Sequence, residues 1–214
     1  MIITTASDKG GVGKSTLSFH LAGAISELDS TRVLLIDGDP NRSALNWAER
    51  SSTVELPFTV VSEKNAHKWF QKGNHADHIV IDTQARPNDE DLRDLLEDTD
   101  LLLVPTSAQA LSLDTLPQFL ERLSKLGGEV PYTFCLCIVD SRTKDEKDAR
   151  EFLQEKSQPV LDGYMRAFSA YTKASAQGCL VKDARTDSGK KDGSAGLAWN
   201  DCKAIAKEIL EGMK

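Results

Sequence analysis

No apolar run in this 214-residue chain approaches the roughly 20 residues that a membrane-spanning helix needs. From Met1 the chain goes straight into the strand-like Ile2-Ile3-Thr4-Thr5-Ala6, so no signal peptide is expected. The four cysteines, Cys135, Cys137, Cys179 and Cys202, form no C-x-x-C pair and no metal-ligand spacing. Cys135 and Cys137 alternate along an apolar strand, where both would face one side and pack as small hydrophobes. That usage leads to the expectation of a reducing, cytoplasmic protein. Internal repeats and low-complexity tracts are absent. There is also no general excess of basic charge: the net charge is −7, which excludes a uniformly basic nucleic-acid binder.

What remains suits one α/β domain over residues 1–214. Val33–Ile36, Ile79–Ile81 and Leu101–Val104 are nearly continuous apolar runs, as strands buried on both faces must be. Helical patterns lie between them. The predicted fold is therefore α/β: a mostly parallel twisted sheet with helices on both faces and right-handed crossovers. The polar stretch Asp183–Gly196 reads as a mobile surface loop before a last helix, Leu197–Met213. On that helix Leu197, Ala204, Ile205, Ile209 and Met213 form the stripe expected to pack on the sheet.

The most informative segment is Lys9-Gly10-Gly11-Val12-Gly13-Lys14-Ser15-Thr16, between a strand and a helix predicted over Ser15–Leu28. It fits the phosphate-loop pattern G-x-x-x-x-G-K-[ST] only if Asp8 stands where the first glycine normally sits. Glycines let successive backbone N–H groups turn inward around a polyphosphate. Lys14 then meets the β and γ phosphates, the Ser15 hydroxyl is placed to ligate Mg²⁺, and the helix points its N-terminus at the same anion. A chance Gly-Lys-Ser in a loop would not explain the strand before it and the helix after it. Asp37 and Asp39 end one predicted strand and Asp82 another, at the sheet edge where open α/β folds bind ligands.

These residues resemble the ParA/MinD family of deviant Walker A ATPases, and within it the ParA-type partition and positioning subgroup. Lys9–Thr16 resembles the family's phosphate loop. Arg32-Val33-Leu34-Leu35-Ile36-Asp37-Gly38-Asp39-Pro40 is similar to its second signature, and His78-Ile79-Val80-Ile81-Asp82-Thr83 to its Walker B strand. Leu101–Thr106 followed by Ser112-Leu113-Asp114 resembles the next strand and its loop. The matches run in family order over about the first 140 residues and are weaker beyond, mainly at Ala174–Val181 and in the final helix.

The resemblance implies a phosphate-loop NTPase fold and hydrolysis of ATP to ADP and phosphate with Mg²⁺. Lys9, Gly10, Gly11, Val12, Gly13, Lys14, Ser15 and Thr16 would bind nucleotide, while Ser15, Asp37 and Asp82 would serve the metal, Asp37 by supporting its water shell. Lys9, Lys14 and Asp39 would be catalytic. Asp39 would position the attacking water, its alternative being to cap the helix that begins near Ser43. Lys9 would cross to the partner's nucleotide in an ATP-dependent sandwich homodimer, as an arginine finger does; the alternative is a solvated loop lysine.

ATP-bound members hold DNA without sequence preference. Here Arg166, Lys173, Lys182, Lys190, Lys191, Lys203 and Lys207 are the candidates, against the alternative of a plain solvated basic face. The sequence carries Ser169-Ala170 before Tyr171, where related chains often have an arginine. An adaptor protein would stimulate hydrolysis, and the cargo would be a plasmid, a chromosome region or a protein assembly such as a carboxysome, at the nucleoid.

Other users of the loop fit less well. The final segment, Ile205–Lys214, mixes acidic residues into its helix, unlike a MinD-type membrane anchor. An iron–sulfur carrier would need other cysteine spacing. A tyrosine kinase would want a tyrosine-rich tail, and the last tyrosine is Tyr171. A biosynthetic ligase stays open, to be separated by a substrate screen. A scaffold that only binds nucleotide would lack a working Asp39.

Overall fold

The computed structural model describes residues 1–51, 54–107, 115–126 and 130–213; Ser112-Leu113-Asp114 of the resemblance lie outside them. In chain order the elements are β1 (Ile2–Thr5), α1 (Lys14–Asp29), β2 (Val33–Gly38), α2 (Ser43–Glu49), β3 (Thr59–Ser62), α3 (Glu63–Gln71) and β4 (His78–Thr83). There follow α4 (Asp89–Glu97), β5 (Leu101–Thr106), α5 (Thr115–Lys125), β6 (Tyr132–Leu136), α6 (Asp145–Glu155), α7 (Ser169–Gln177) and α8 (Ala195–Gly212). The strands form one six-stranded sheet in the order β3-β2-β4-β1-β5-β6, with every pairing parallel. Helices cover both faces. This is the α/β architecture expected from the sequence.

Residues that alternate along a strand feed two separate cores. Leu101 and Leu103 of β5 join the cluster under α1, α2, α7 and α8, whereas Leu102 and Val104 join the one under α4, α5 and α6. Beyond them, Cys135 and Cys137 lie in the first cluster and Phe134 and Leu136 in the second. Both cysteines therefore share a side, as the alternation implied. Both-sided burial is also why these strands read as continuous apolar runs.

Two sequence expectations need correction. The buried stripe of α8 is Ala195, Ala198, Trp199, Cys202, Ile205, Ala206 and Ile209; Leu197 is 50% exposed, Met213 40%, and Ala204 is also exposed. The helix packs against α1 and shares one core with Cys135 and Cys137, and its contact face is turned by about one helical position from the predicted one. Burying Trp199, Ile205 and Ile209 contributes roughly 1.5–3 kcal/mol for each large side chain.

Asp183–Gly196 is also not a loose loop. After a 3-10 turn at Val181–Asp183, Arg185 and Lys191 form an antiparallel bridge, and the Asp192 N–H donates to the Ala184 carbonyl at 2.8 Å. Ala184 and Asp192 are buried. Among the described residues, no helix is long and apolar enough to cross a membrane.

Candidate functional site

Strand register assembles the site. β4 lies between β1 and β2, so Asp82 is paired with Thr5 on one side and Asp37 on the other. After Thr5 the chain turns over the carboxyl edge of the sheet until α1 begins at Lys14. Gly11 and Gly13 stand at φ +75° and +89°, and their conformation, rather than any shortage of space, requires glycine. Among the described residues, no side chain caps the first turn of α1, and that turn carries no acidic residue. Its N–H groups can therefore meet an anion.

Lys14 is only 7% exposed; its ammonium donates to the Thr83 carbonyl and lies 3.7 Å from Asp82 Oδ1. Asp82 is 0% exposed. Ser18 Oγ donates to its Oδ1 at 3.1 Å, and Oδ2 has no hydrogen-bond partner among the described residues. Burial pushes the Asp82 carboxyl above the usual carboxylate range; the Lys14 charge and the nearby Ser15 hydroxyl pull the other way. A buried carboxylate oxygen without a partner, beside a first-turn serine hydroxyl, suits a hard divalent cation. Asp82 and Ser15 therefore fit the Mg²⁺ that the resemblance implies.

The other two aspartates divide their work differently from the simplest expectation. Asp37 Oδ1 accepts from the Asp39 N–H at 3.0 Å, and its Oδ2 from the Leu45 N–H at 2.8 Å. Asp37 therefore caps the first turn of α2, the structural job that the sequence offered as an alternative for Asp39; only its remaining lone pairs are left for a metal's water shell. Asp39 folds back on its own turn, with Oδ1 accepting from both the backbone and side-chain nitrogens of Asn41 at 2.8 and 3.0 Å. It lines a cavity of about 660 Å³ opposite Lys9, Gly10, Gly11 and Gly13. Lys9 borders the same cavity, half-buried, and makes no ion pair among the described residues.

Two features had no clear sequence signal. Asp8, which stands in the loop's first-glycine position, is gripped from α5: Arg122 donates to its carboxylate at 2.6 Å, to Asp89 at 2.6 Å and to the Pro87 carbonyl. An acid in that position was the only hint. The far wall of the cavity is Ile138 with Met165–Phe168 and Thr172. Ile138 is 45% exposed at φ +58°, a left-handed conformation that holds roughly 1–3 kcal/mol of strain in a β-branched residue. In the sequence Cys137-Ile138-Val139 simply continues an apolar strand, which hides it. Behind the loop, His20 of α1 is buried: its Nδ1 donates to the Thr16 carbonyl at 2.8 Å and its Nε2 accepts from the Val181 N–H at 2.9 Å.

The residues expected to contact DNA do not form one open basic surface. Arg166 pairs with Asp201, Lys173 with Asp192 and Lys182 with Glu27, each at 2.6 Å. Lys207 lies 3.8 Å from Glu211. Lys190, Lys191 and Lys203 make no ion pair among the described residues. Ala170 is fully buried, so the departure at Ser169-Ala170 lies partly inside the fold.

Comparison with known proteins places these observations. Over 97% of its length the chain is 28% identical to maintenance of carboxysome distribution protein A of Gloeobacter kilaueensis, of which it covers 93%. Its fold matches a Cyanothece McdA–ATP complex with a TM-score of 0.69 at 18% identity, covering 99% and 95% of the two chains. A plasmid partition protein of Borrelia burgdorferi superposes with a TM-score of 0.67 at 20% identity, over 99% and 98%. Residues 3–181 match the family described as CobQ/CobB/MinD/ParA nucleotide binding domain, a span that holds the phosphate loop, Asp37, Asp39 and Asp82. The chain belongs to that family of nucleotide-binding domains.

Proposed function

We propose that the chain acts as one ParA-type ATPase domain that positions a cargo through cycles of ATP binding and hydrolysis. The carrying observation is the group Lys14, Ser15 and Asp82, with a buried carboxylate oxygen that has no partner among the described residues, near the start of an uncapped helix. Asp82 and Ser15 would hold Mg²⁺, which supplies charge to stabilise the transferring phosphoryl group. Lys14 leaves the Thr83 carbonyl for the β and γ phosphates, and the loop N–H groups bind the same oxygens. Asp39 orients a water toward the γ phosphorus. As the water oxygen bonds to that phosphorus, the bond to the β–γ bridging oxygen breaks, leaving ADP and phosphate. The apolar wall from Ile138 to Phe168 takes the base.

In this reading Lys9, which borders the cavity and has no ion-pair partner among the described residues, completes the nucleotide site of a second copy, so ATP drives a homodimer. The dimer holds DNA and an adaptor stimulates turnover. A relative over nearly the whole chain named for carboxysome distribution, and a plasmid partition protein of the same fold, support a protein assembly or a plasmid as cargo. The burial of α8 against α1 argues against its use as a membrane anchor. The test is Asp39→Ala: ATP affinity should stay near wild type while turnover falls about 100-fold, since only a transition-state contact is lost. Unchanged turnover would return Asp39 to a purely structural turn.

A further inference from the structure

We propose that the exposed side of α3 is the contact surface for the phosphate backbone of duplex DNA, an inference that rests on the reading that this protein holds DNA. Helical spacing puts Lys64, His67, Lys68, Gln71 and the C-capping Lys72 on one side of α3, all of them exposed. None of the three lysines makes an ion pair among the described residues. Of the C-terminal cations, Arg166, Lys173 and Lys182 are each closed onto a carboxylate. Lys190, Lys191 and Lys203 also make no ion pair among the described residues, and the first two serve as the comparison for α3.

The pattern is unfavourable for α3 taken alone. Like charges at i and i+4 cost a helix roughly 0.2–0.5 kcal/mol per pair, and α3 holds Lys64 against Lys68 and Lys68 against Lys72. On α5, α6 and α8 the i and i+4 positions pair opposite charges instead: Glu121 with Lys125, Lys147 with Glu151, Lys207 with Glu211. Nor is α3 firmly anchored, since it contains no buried residue and only Ala66 and Trp69 are half-buried. A short, weakly seated helix that keeps its cations uncompensated is suited to a polyanion.

The dimensions agree. Lys64 to Lys72 spans about 12 Å at about 1.5 Å per residue. That length runs beside about seven charges of a duplex, at one per about 1.7 Å. Trp69 and Phe70, their ring centroids 5.0 Å apart, flank the lysines and raise an anionic bilayer as the rival partner. Trp69 is half-buried and only Phe70, at 39%, is an exposed large apolar side chain on α3, too little surface to insert. Position also links the helix to the nucleotide side: Glu63, the first residue of α3, lines a groove with Gly38 and Thr83, the sequence neighbours of Asp39 and Asp82, and with the carboxylates Asp91, Asp94 and Asp98.

The experiment measures retention of two unrelated fluorescent duplexes by the full chain, with and without Mg·ATP, across a salt series. Each lost phosphate contact lowers the log–log salt slope by about 0.9, so replacing Lys64, Lys68 and Lys72 by Ala together should flatten it by about 2.7. That amounts to roughly 500-fold weaker binding at 0.1 M salt relative to a 1 M reference, equal for both sequences. Lys190→Ala with Lys191→Ala should change it little. The proposal is overturned if the triple variant binds like wild type, or if only the Lys190 and Lys191 pair matters. It is equally overturned if vesicles of phosphatidylcholine with phosphatidylserine, and not duplexes, are held through these lysines. Wild type that retains no duplex in either state removes both this surface and the DNA-holding reading. ATP binding in the same samples, and an unchanged circular dichroism melt, keep that outcome distinct from failure of the nucleotide site or of folding.

Discussion

His20 should make this fold acid-sensitive well above the range where its carboxylates titrate. Complete burial pushes its pKa down from 6.5 to about 4, against a weaker upward pull from the Thr16 carbonyl. The ring is held neutral because its Nε2 must accept the Val181 N–H, while Phe19, Trp47 and Tyr171 pack edge-on around it. Below pH 6.5 the unfolded chain takes up a proton that the folded chain refuses until about pH 4, so stability falls as pH falls through that window. The full effect is about 3 kcal/mol, and about 2 kcal/mol of it is lost between about pH 7.5 and about pH 5.

Asp82 works in the opposite sense, because a carboxyl with a raised pKa regains stability when protonated. A difference measurement therefore isolates the histidine. Urea unfolding of wild type and His20→Gln at the two pH values should show the variant less stable at neutral pH but with its pH dependence reduced by about 2 kcal/mol. Equal losses on acidification in both proteins would refute the claim that a neutral, buried His20 ties α1 to the turn at Val181.

Lys14→Ala should weaken ATP binding at least 100-fold by calorimetry, since it removes a charge-assisted contact to the β and γ phosphates; near-native affinity would reject the phosphate-loop assignment. Lys9→Ala should still bind ATP but sediment as a monomer with Mg·ATP, because its contacts lie in the partner's site, and a dimer as tight as wild type would contradict that role. Ile205→Ala on α8 should cost about 2–5 kcal/mol, and Met213→Ala just past its end under about 0.5 kcal/mol, in denaturant unfolding. Equal effects would mean that the buried stripe has been misassigned.

The phosphate-loop segment and the buried strands were legible in the sequence because their features are local. The glycines of Lys9–Thr16 need a left-handed backbone that other residues resist, and a run such as Val33–Ile36 can only be a strand buried on both faces. The all-parallel sheet follows from such strands alternating with helices. The rest depends on which segments meet. Only the pairing of β4 between β1 and β2 puts Asp82 beside Asp37, and only the packing of α2 makes Asp37 its cap and leaves Asp39 at the cavity. Arg122 reaches Asp8 across 114 positions, a contact that no local pattern encodes. Charge shows the difference most plainly. Counted along the chain, Met165–Lys191 is a basic segment, yet three of its cations, Arg166, Lys173 and Lys182, are met by Asp201, Asp192 and Glu27. The lysines of α3 were inconspicuous in sequence, yet among the described residues they stand exposed and make no ion pair. Composition sets how many charges a chain carries, whereas the fold decides which of them are neutralised at a few ångströms and which face the solvent.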